Sequence, residues 1–377
     1  MFLKKKEVAR WTTSFMYPKP DSNRHSRYGQ RILSPSCLPF HHSGSLVAGL
    51  LLSGAKIAFF YFLGFKKRCI FENSTKTMTM KNTFFLSFAL ALSAICMPKQ
   101  LLAQESLTRV IEDGGTGPYS AVMMTEPTLT THTVFRPADL SVFGKKDKLP
   151  IIAWGNGACA NSPWEHVNFL NEVASHGFLV IAIGPMPKEG ERGGGKSMSS
   201  QLLDAIDWAI AQNKDENSPY YKKIDVKRIA VSGMSCGGLQ TLEVAPDPRI
   251  KTIIVCNSGI IGNAGQGMPG MPGLTKDHLK KLHTPTLYLL GGPSDIAYKN
   301  GMDDVERINH LPVFVANMDV GHGGTYRQPH GGEFARVATA WYLWQLKKDK
   351  KAALLFKGQP CGLAQSPGWT VEKKKMP

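Results

Sequence analysis

Acidic side chains are scarce in this 377-residue chain, where 29 Asp and Glu stand against 45 Lys and Arg for a formal charge of +16. A basic excess of that size suits a nucleic-acid partner only when it is clustered on a binding surface. Here it is not. Residues 1–80 hold 13 basic and 3 acidic side chains, while the stretch from Gln104 onward holds 30 and 26. The surplus therefore lies in a segment with no regular periodicity and no binding motif, and nucleic acid is excluded as the expected partner. Metal-ligand spacings are also missing, so no metal is expected. The glycine-rich stretch from Gly262 to Gly270 lacks the lysine and the preceding strand of a phosphate loop, so no cofactor is expected either. There is no internal repeat.

Long apolar runs are few and sit near the start. Met80-Lys81 opens a short basic region, residues 83–95 are apolar, and Leu101-Leu-Ala103 ends a signal-peptidase-like site. That is the layout of a signal peptide, residues 80–103, beginning at an internal methionine. The expected start is Met80, with residues 1–79 an upstream segment outside the fold. The rival reading takes residues 46–65, apolar apart from Lys56 and followed by Lys66-Lys67-Arg68, as a transmembrane anchor. The first reading implies a secreted or periplasmic protein with no stable membrane partner in its mature form. Ile95, bulky where lipidation needs a small residue, speaks against Cys96 as a lipid site. Cys159, Cys236, Cys256 and Cys361 remain, an even number for an oxidising compartment, with connectivity open. Cys256, inside an apolar run, is expected as a small buried hydrophobe.

From about residue 118 the pattern alternates strand and helix. Short β-type runs at 120–124 and 131–135 predict an antiparallel start. Continuous apolar runs at 150–154, 178–183, 251–256, 285–290 and 312–316 predict buried strands, and the spacing predicts helices over 163–175, 198–212, 298–308 and 332–346. Buried strands alternating with amphipathic helices predict an α/β fold, a mostly parallel, doubly wound sheet flanked by helices. Residues 104–347 form the expected catalytic domain and 348–377 a lysine-rich, basic C-terminal tail. Residues 257–283, rich in Gly, Pro and Met, hold one short helix at 275–282, too little for a large cap domain.

The stretch around which this pattern turns is Gly233-Met-Ser-Cys-Gly237, set between a β-branched strand and a helix. Ser235 at such a turn stands clear of both elements, and the two glycines let the backbone fold tightly. The following helix aims its positive end at the same spot, so the Cys236 N–H is a candidate oxyanion donor. A serine nucleophile needs a base, and His322, between glycines in the loop after the last apolar strand, is the best of eleven histidines; His330 is the nearest competitor. The acid that would hold the imidazole is Asp295, at the end of the preceding strand, or Asp319, three residues before His322.

These residues resemble the α/β-hydrolase superfamily, and within it the chlorophyllase, dienelactone hydrolase and cutinase-like polyester hydrolase branch, over residues 105–347. The resemblance implies the chain order Ser235, Asp295, His322 for the triad and favours Asp295 over Asp319. It implies the Ala158 N–H as the second oxyanion donor, although Asn156-Gly157 replaces the family's usual His-Gly or Pro-Gly there. Cys159 and Cys236 then flank the two halves of the oxyanion hole, so a bridge between them is one possible connectivity. Trp154, Trp164 and Met234 are candidates to line the acyl or alcohol site, or simply core. The implied function is a secreted serine hydrolase cleaving carboxylic esters through an acyl-enzyme, its substrate a small-molecule or polymer-attached ester. The alternatives are a serine peptidase of the same fold, or a hydrolase-fold binding protein without catalysis.

Overall fold

The computed structural model describes residues 106–188, 191–262 and 271–376, all within one compact unit spanning Cys96–Pro377. The signal-like segment, the apolar run at 46–65 and the proposed start at Met80 lie outside the described residues. Among the described residues no helix is long and apolar enough to cross a membrane.

The chain forms a ten-stranded sheet. In chain order the strands are β1 Thr108–Val110, β2 Ala121–Met124, β3 His132–Pro137, β4 Leu149–Gly155, β5 Leu179–Ile183, β6 Ile224–Met234, β7 Ile250–Cys256, β8 Thr286–Leu290, β9 Val313–Met318 and β10 Trp369–Lys374. Their spatial order is β1-β2-β3-β5-β4-β6-β7-β8-β9-β10. The five neighbouring pairs from β5 through β9 are parallel, and antiparallel β1 to β3 and β10 extend the two edges. The α-helices are α1 Val167–Ser175, α2 Ser200–Lys214, α3 Cys236–Val244, α4 Tyr298–Arg307, α5 Gly332–Lys347 and α6 Lys350–Ala353. This is an α/β-hydrolase architecture.

Strand periodicity of two divides the core. Ile253 and Val255 of β7 join one cluster, which α2, α3 and α4 cover with Leu202, Ile206, Leu242 and Val305. Ile254 and Cys256 face the other, covered by Phe169 and Val173 of α1 and by Val337, Trp341 and Tyr342 of α5. Because both faces are covered, the central strands read as unbroken apolar runs rather than alternating ones. Burying each such side chain contributes about 1.5 to 3 kcal/mol.

Three expectations are revised. The helix expected from residue 163 begins at Val167, behind a 3-10 turn at Trp164–His166. The short helix expected at 275–282 is a 3-10 stretch, Lys276–Lys281. The segment expected as a basic tail is part of the fold: it turns back after α5, buries Phe356, Leu363 and Trp369, and runs as β10 antiparallel to β9 from Trp369↔Met318 to Lys374↔Val313. Its lysines, Lys373 and Lys374, are half-buried and donate to backbone carbonyls, Lys373 to Gly358 O and Lys374 to Val305 O and Glu306 O; charged side chains on an edge strand are a common guard against edge-to-edge pairing.

Candidate active site

Ser235 stands between the end of β6 and the start of α3 with φ 55° and ψ −117°. That conformation costs an L-residue about 1 to 3 kcal/mol and holds only where the surroundings impose it. They do. The Ser235 N–H donates to Cys256 O at 2.9 Å, and its carbonyl accepts from Gly238 N and Leu239 N. The Ser258 hydroxyl donates to the same carbonyl at 2.7 Å. The flanking glycines are required by close approach: a Cβ at Gly237 would lie 2.1 Å from Gly155 O, and one at Gly233 would lie 2.3 Å from Gly237 O.

His322 reaches this serine from the loop after β9, its Nε2 2.9 Å from Ser235 Oγ. Its Nδ1 lies 2.6 Å from Asp295 Oδ1. Since an ionised carboxylate only accepts, Nδ1 carries the proton; Nε2 is then the acceptor, and the Ser235 hydroxyl donates to it. Asp295 is 3% exposed. Burial raises its carboxyl pKa, but hydrogen bonds from His322, the Ala297 N–H and Asn257 outweigh that and hold it below the usual value of 3.8. A fourth donor, the Gly291 N–H, lies 3.3 Å from Oδ2.

The other candidates lie elsewhere. Asp319 is exposed and accepts from the Ser294 hydroxyl at 2.7 Å. His330 sits between Glu112 and Glu172, 3.7 Å from a carboxylate oxygen of each. Trp154 is fully buried and packs among His166, Phe169 and Tyr326, which makes it core. Trp164 is half-buried and lines a cavity of about 580 Å³ with Arg109, Asn168, Pro187 and Arg327. Met234, with its Sδ against Gly157, lies under the loop after β4.

That loop carries Ala158 on a 3-10 turn, Gly157–Cys159, with Ala158 at φ 54° and Cys159 at φ 47°. A disulfide joins Cys159 to Cys236 across a Cα–Cα distance of 5.1 Å. It fastens the turn to the first residue of α3, whose positive dipole end faces the serine. Asn156 supports the turn from below, donating from Nδ2 to Ile183 O at 2.7 Å and Ala160 O at 3.0 Å. Cys256 and Cys361 are buried thiols, and burial pushes Cys256 up to about 12.

Sequence reasoning named Asn156 only as a departure from the family's pattern and overlooked Asn257 and Ser258. Each follows an apolar strand within two residues, at the carboxyl edge where sites in parallel sheets gather, a place they share with any polar residue that starts a loop.

A model of the PET hydrolase-like family matches residues 133–259. The match runs from β3 to just past β7 and includes Ala158, Ser235 and Cys236, but stops before Asp295 and His322. No curated protein matches the chain.

Proposed function

We propose that this chain, an α/β-hydrolase resembling the polyester hydrolases, is an exported serine hydrolase that cleaves carboxylic esters through an acyl-enzyme. The observation that carries the reading is the unbroken hydrogen-bond line from Ser235 Oγ through His322 to Asp295. Ser235 attacks the ester carbonyl as His322 Nε2 takes its proton. The oxyanion is met by the Cys236 N–H and by an amide of the Gly157–Cys159 turn, with Ala158 the assigned donor. His322⁺, steadied by Asp295, then protonates the departing alkoxide. Water, activated by the same imidazole, releases the acid and restores Ser235.

The substrate class proposed is a bulky or polymer-attached carboxylic ester. The match to the PET hydrolase-like family supports this choice, as does the short span of regular structure among the described residues of the connection between β7 and β8. Export rests on the signal-like residues 80–103.

Turnover of a small aryl ester by Ser235→Ala is the direct test. A loss of about 10⁴-fold at an unchanged unfolding temperature is expected, because triad members act as a unit. Retention of more than about a tenth of wild-type turnover would remove Ser235 from the mechanism.

A further inference from the structure

Three consecutive residues at the end of β7 touch the loops that carry all three members of the site. Cys256 O accepts the Ser235 N–H. The Ser258 hydroxyl donates to Ser235 O. Between them, Asn257 donates from Nδ2 to Asp295 Oδ2 at 2.8 Å and to Gly321 O, beside His322, at 3.2 Å. Asn257 is fully buried and sits at φ 43°, in the left-handed region that asparagine tolerates better than most residues. Its backbone N–H is fixed as well, donating to Leu289 O at 2.8 Å.

An asparagine amide has an acceptor end and a donor end, and only the donor end stabilises a carboxylate. Asp295 Oδ2 and Gly321 O only accept, so they turn the amide NH₂ toward themselves, and the Tyr326 hydroxyl holds it there by donating to Asn257 Oδ1 at 2.5 Å. Tyr326 is itself 2% exposed, its ring held edge-on against Phe169, His166 and Phe334. The buried Cys256 thiol is another polar neighbour; being protonated, it can donate to the phenol oxygen and leave the phenol proton to Asn257. The line therefore runs Tyr326 to Asn257 to Asp295 to His322 to Ser235.

We propose that Asn257 is a positioning residue that orients the Asp295 carboxylate and keeps it ionised, and that Tyr326 locks the Asn257 amide in the orientation this requires. The proposal rests on the reading of Ser235, His322 and Asp295 as a catalytic triad. The titratable groups around the carboxylate are His322 in contact, Tyr326 and Cys256 behind Asn257, and Asp319 beyond Gly292.

The test compares Asn257→Ala and Tyr326→Phe in the full chain, with Ser235→Ala as a parallel control. Asn257→Ala is expected to lower kcat on an aryl ester by about 10- to 100-fold, the span of one hydrogen bond to a charged group, with KM within about twofold. Tyr326→Phe removes one hydroxyl from an otherwise intact ring and is expected to lower kcat by about tenfold. In both, the acid limb of the kcat/KM profile should move to higher pH, since a carboxylate that has lost a donor protonates more readily. The downfield proton resonance of His322 Nδ1–H should shift in the same two variants. Unchanged kcat, acid limb and resonance in Tyr326→Phe, with Ser235→Ala inactive, would overturn the proposal and leave the triad standing. Turnover by Ser235→Ala would overturn the triad itself. If Asn257→Ala does not fold, Tyr326→Phe alone decides the matter.

Discussion

Two aspartates competed for one role, and their surroundings separate them. Asp295 is buried and gathers four donors, His322 Nδ1–H among them, whereas Asp319 is exposed on the Ser294 hydroxyl. Asp295→Asn is expected to lower kcat by about 10⁴-fold, because an amide there favours the wrong imidazole tautomer; Asp319→Asn should stay within about threefold of wild type, as a surface hydrogen bond remote from the imidazole affects it little. The reverse ranking would move the acid. The same residue carries a pH signature. Its folded pKa lies below the unfolded value of 3.8, so its contribution to stability is present in full above that value and fades as pH falls through the folded one. Thermal melts at pH 5 and pH 3 should accordingly show a smaller acid loss in Asp295→Asn than in the wild type. Ser235 and His322 were legible in the sequence because glycines on both sides leave few structural roles for a serine or a histidine. Asn257 and Tyr326 were not: Asn257 meets Tyr326 across 69 residues and Asp295 across 38, and nothing local to either distinguishes a buried hub from the start of a loop or an ordinary core tyrosine.

At the scale of elements, the disulfide joins two segments that both hold strained backbone. Ala158 and Cys159 on one side and Ser235 on the other all have positive φ, and Cys159 and Cys236 bind those segments across 77 residues of chain. A cross-link of that span stabilises a fold by roughly 2 to 4 kcal/mol, chiefly by restricting the unfolded chain. The double substitution Cys159→Ser and Cys236→Ser should therefore lower the denaturant midpoint. It should also lower kcat more than it raises KM, because the amides released are those assigned to the oxyanion rather than to the resting ester. An unaltered kcat in a destabilised but folded variant would confine the bond to a structural role. The strands flanking this site could be read directly, since continuous apolar runs of five to seven residues are what a sheet covered on both faces demands. The edges could not. β1 is three residues long, too short for any period to register, and β10 has only Trp369 buried, so its lysines read as a solvated tail. Edge strands gain their structure from a neighbour's hydrogen bonds rather than from their own pattern.

For the molecule as a whole, the two ends of the chain carry opposite expectations. Most of the basic surplus lies in residues 1–80, and the first strand among the described residues begins only at Thr108. A chain beginning at Gln104 should therefore fold and turn over an aryl ester as the full chain does, and protein isolated from its natural host should begin close to that residue. N-terminal sequencing that found Met1, or any residue before 80, would restore residues 46–65 as a candidate membrane anchor. The other end is not dispensable, despite its similar appearance. Ending the chain at Lys347 would remove β10 from β9 and take Phe356 off Phe314 and Trp341, where the ring centroids are 5.1 Å apart in each pair. It would also take Trp369 off Phe334, 5.9 Å away. Phe356, Leu363 and Trp369 are all buried, and at about 1.5 to 3 kcal/mol each their loss amounts to roughly 5 to 9 kcal/mol, as much as many domains have in total. Phe334 also packs on Tyr326, so the damage would reach the residue that orients Asn257. Thermal unfolding of the two truncated chains beside the full one should show an unchanged transition for the first and a lowered or absent one for the second; a native-like transition in the chain ending at Lys347 would make residues 348–377 no more than the surface extension expected from their composition.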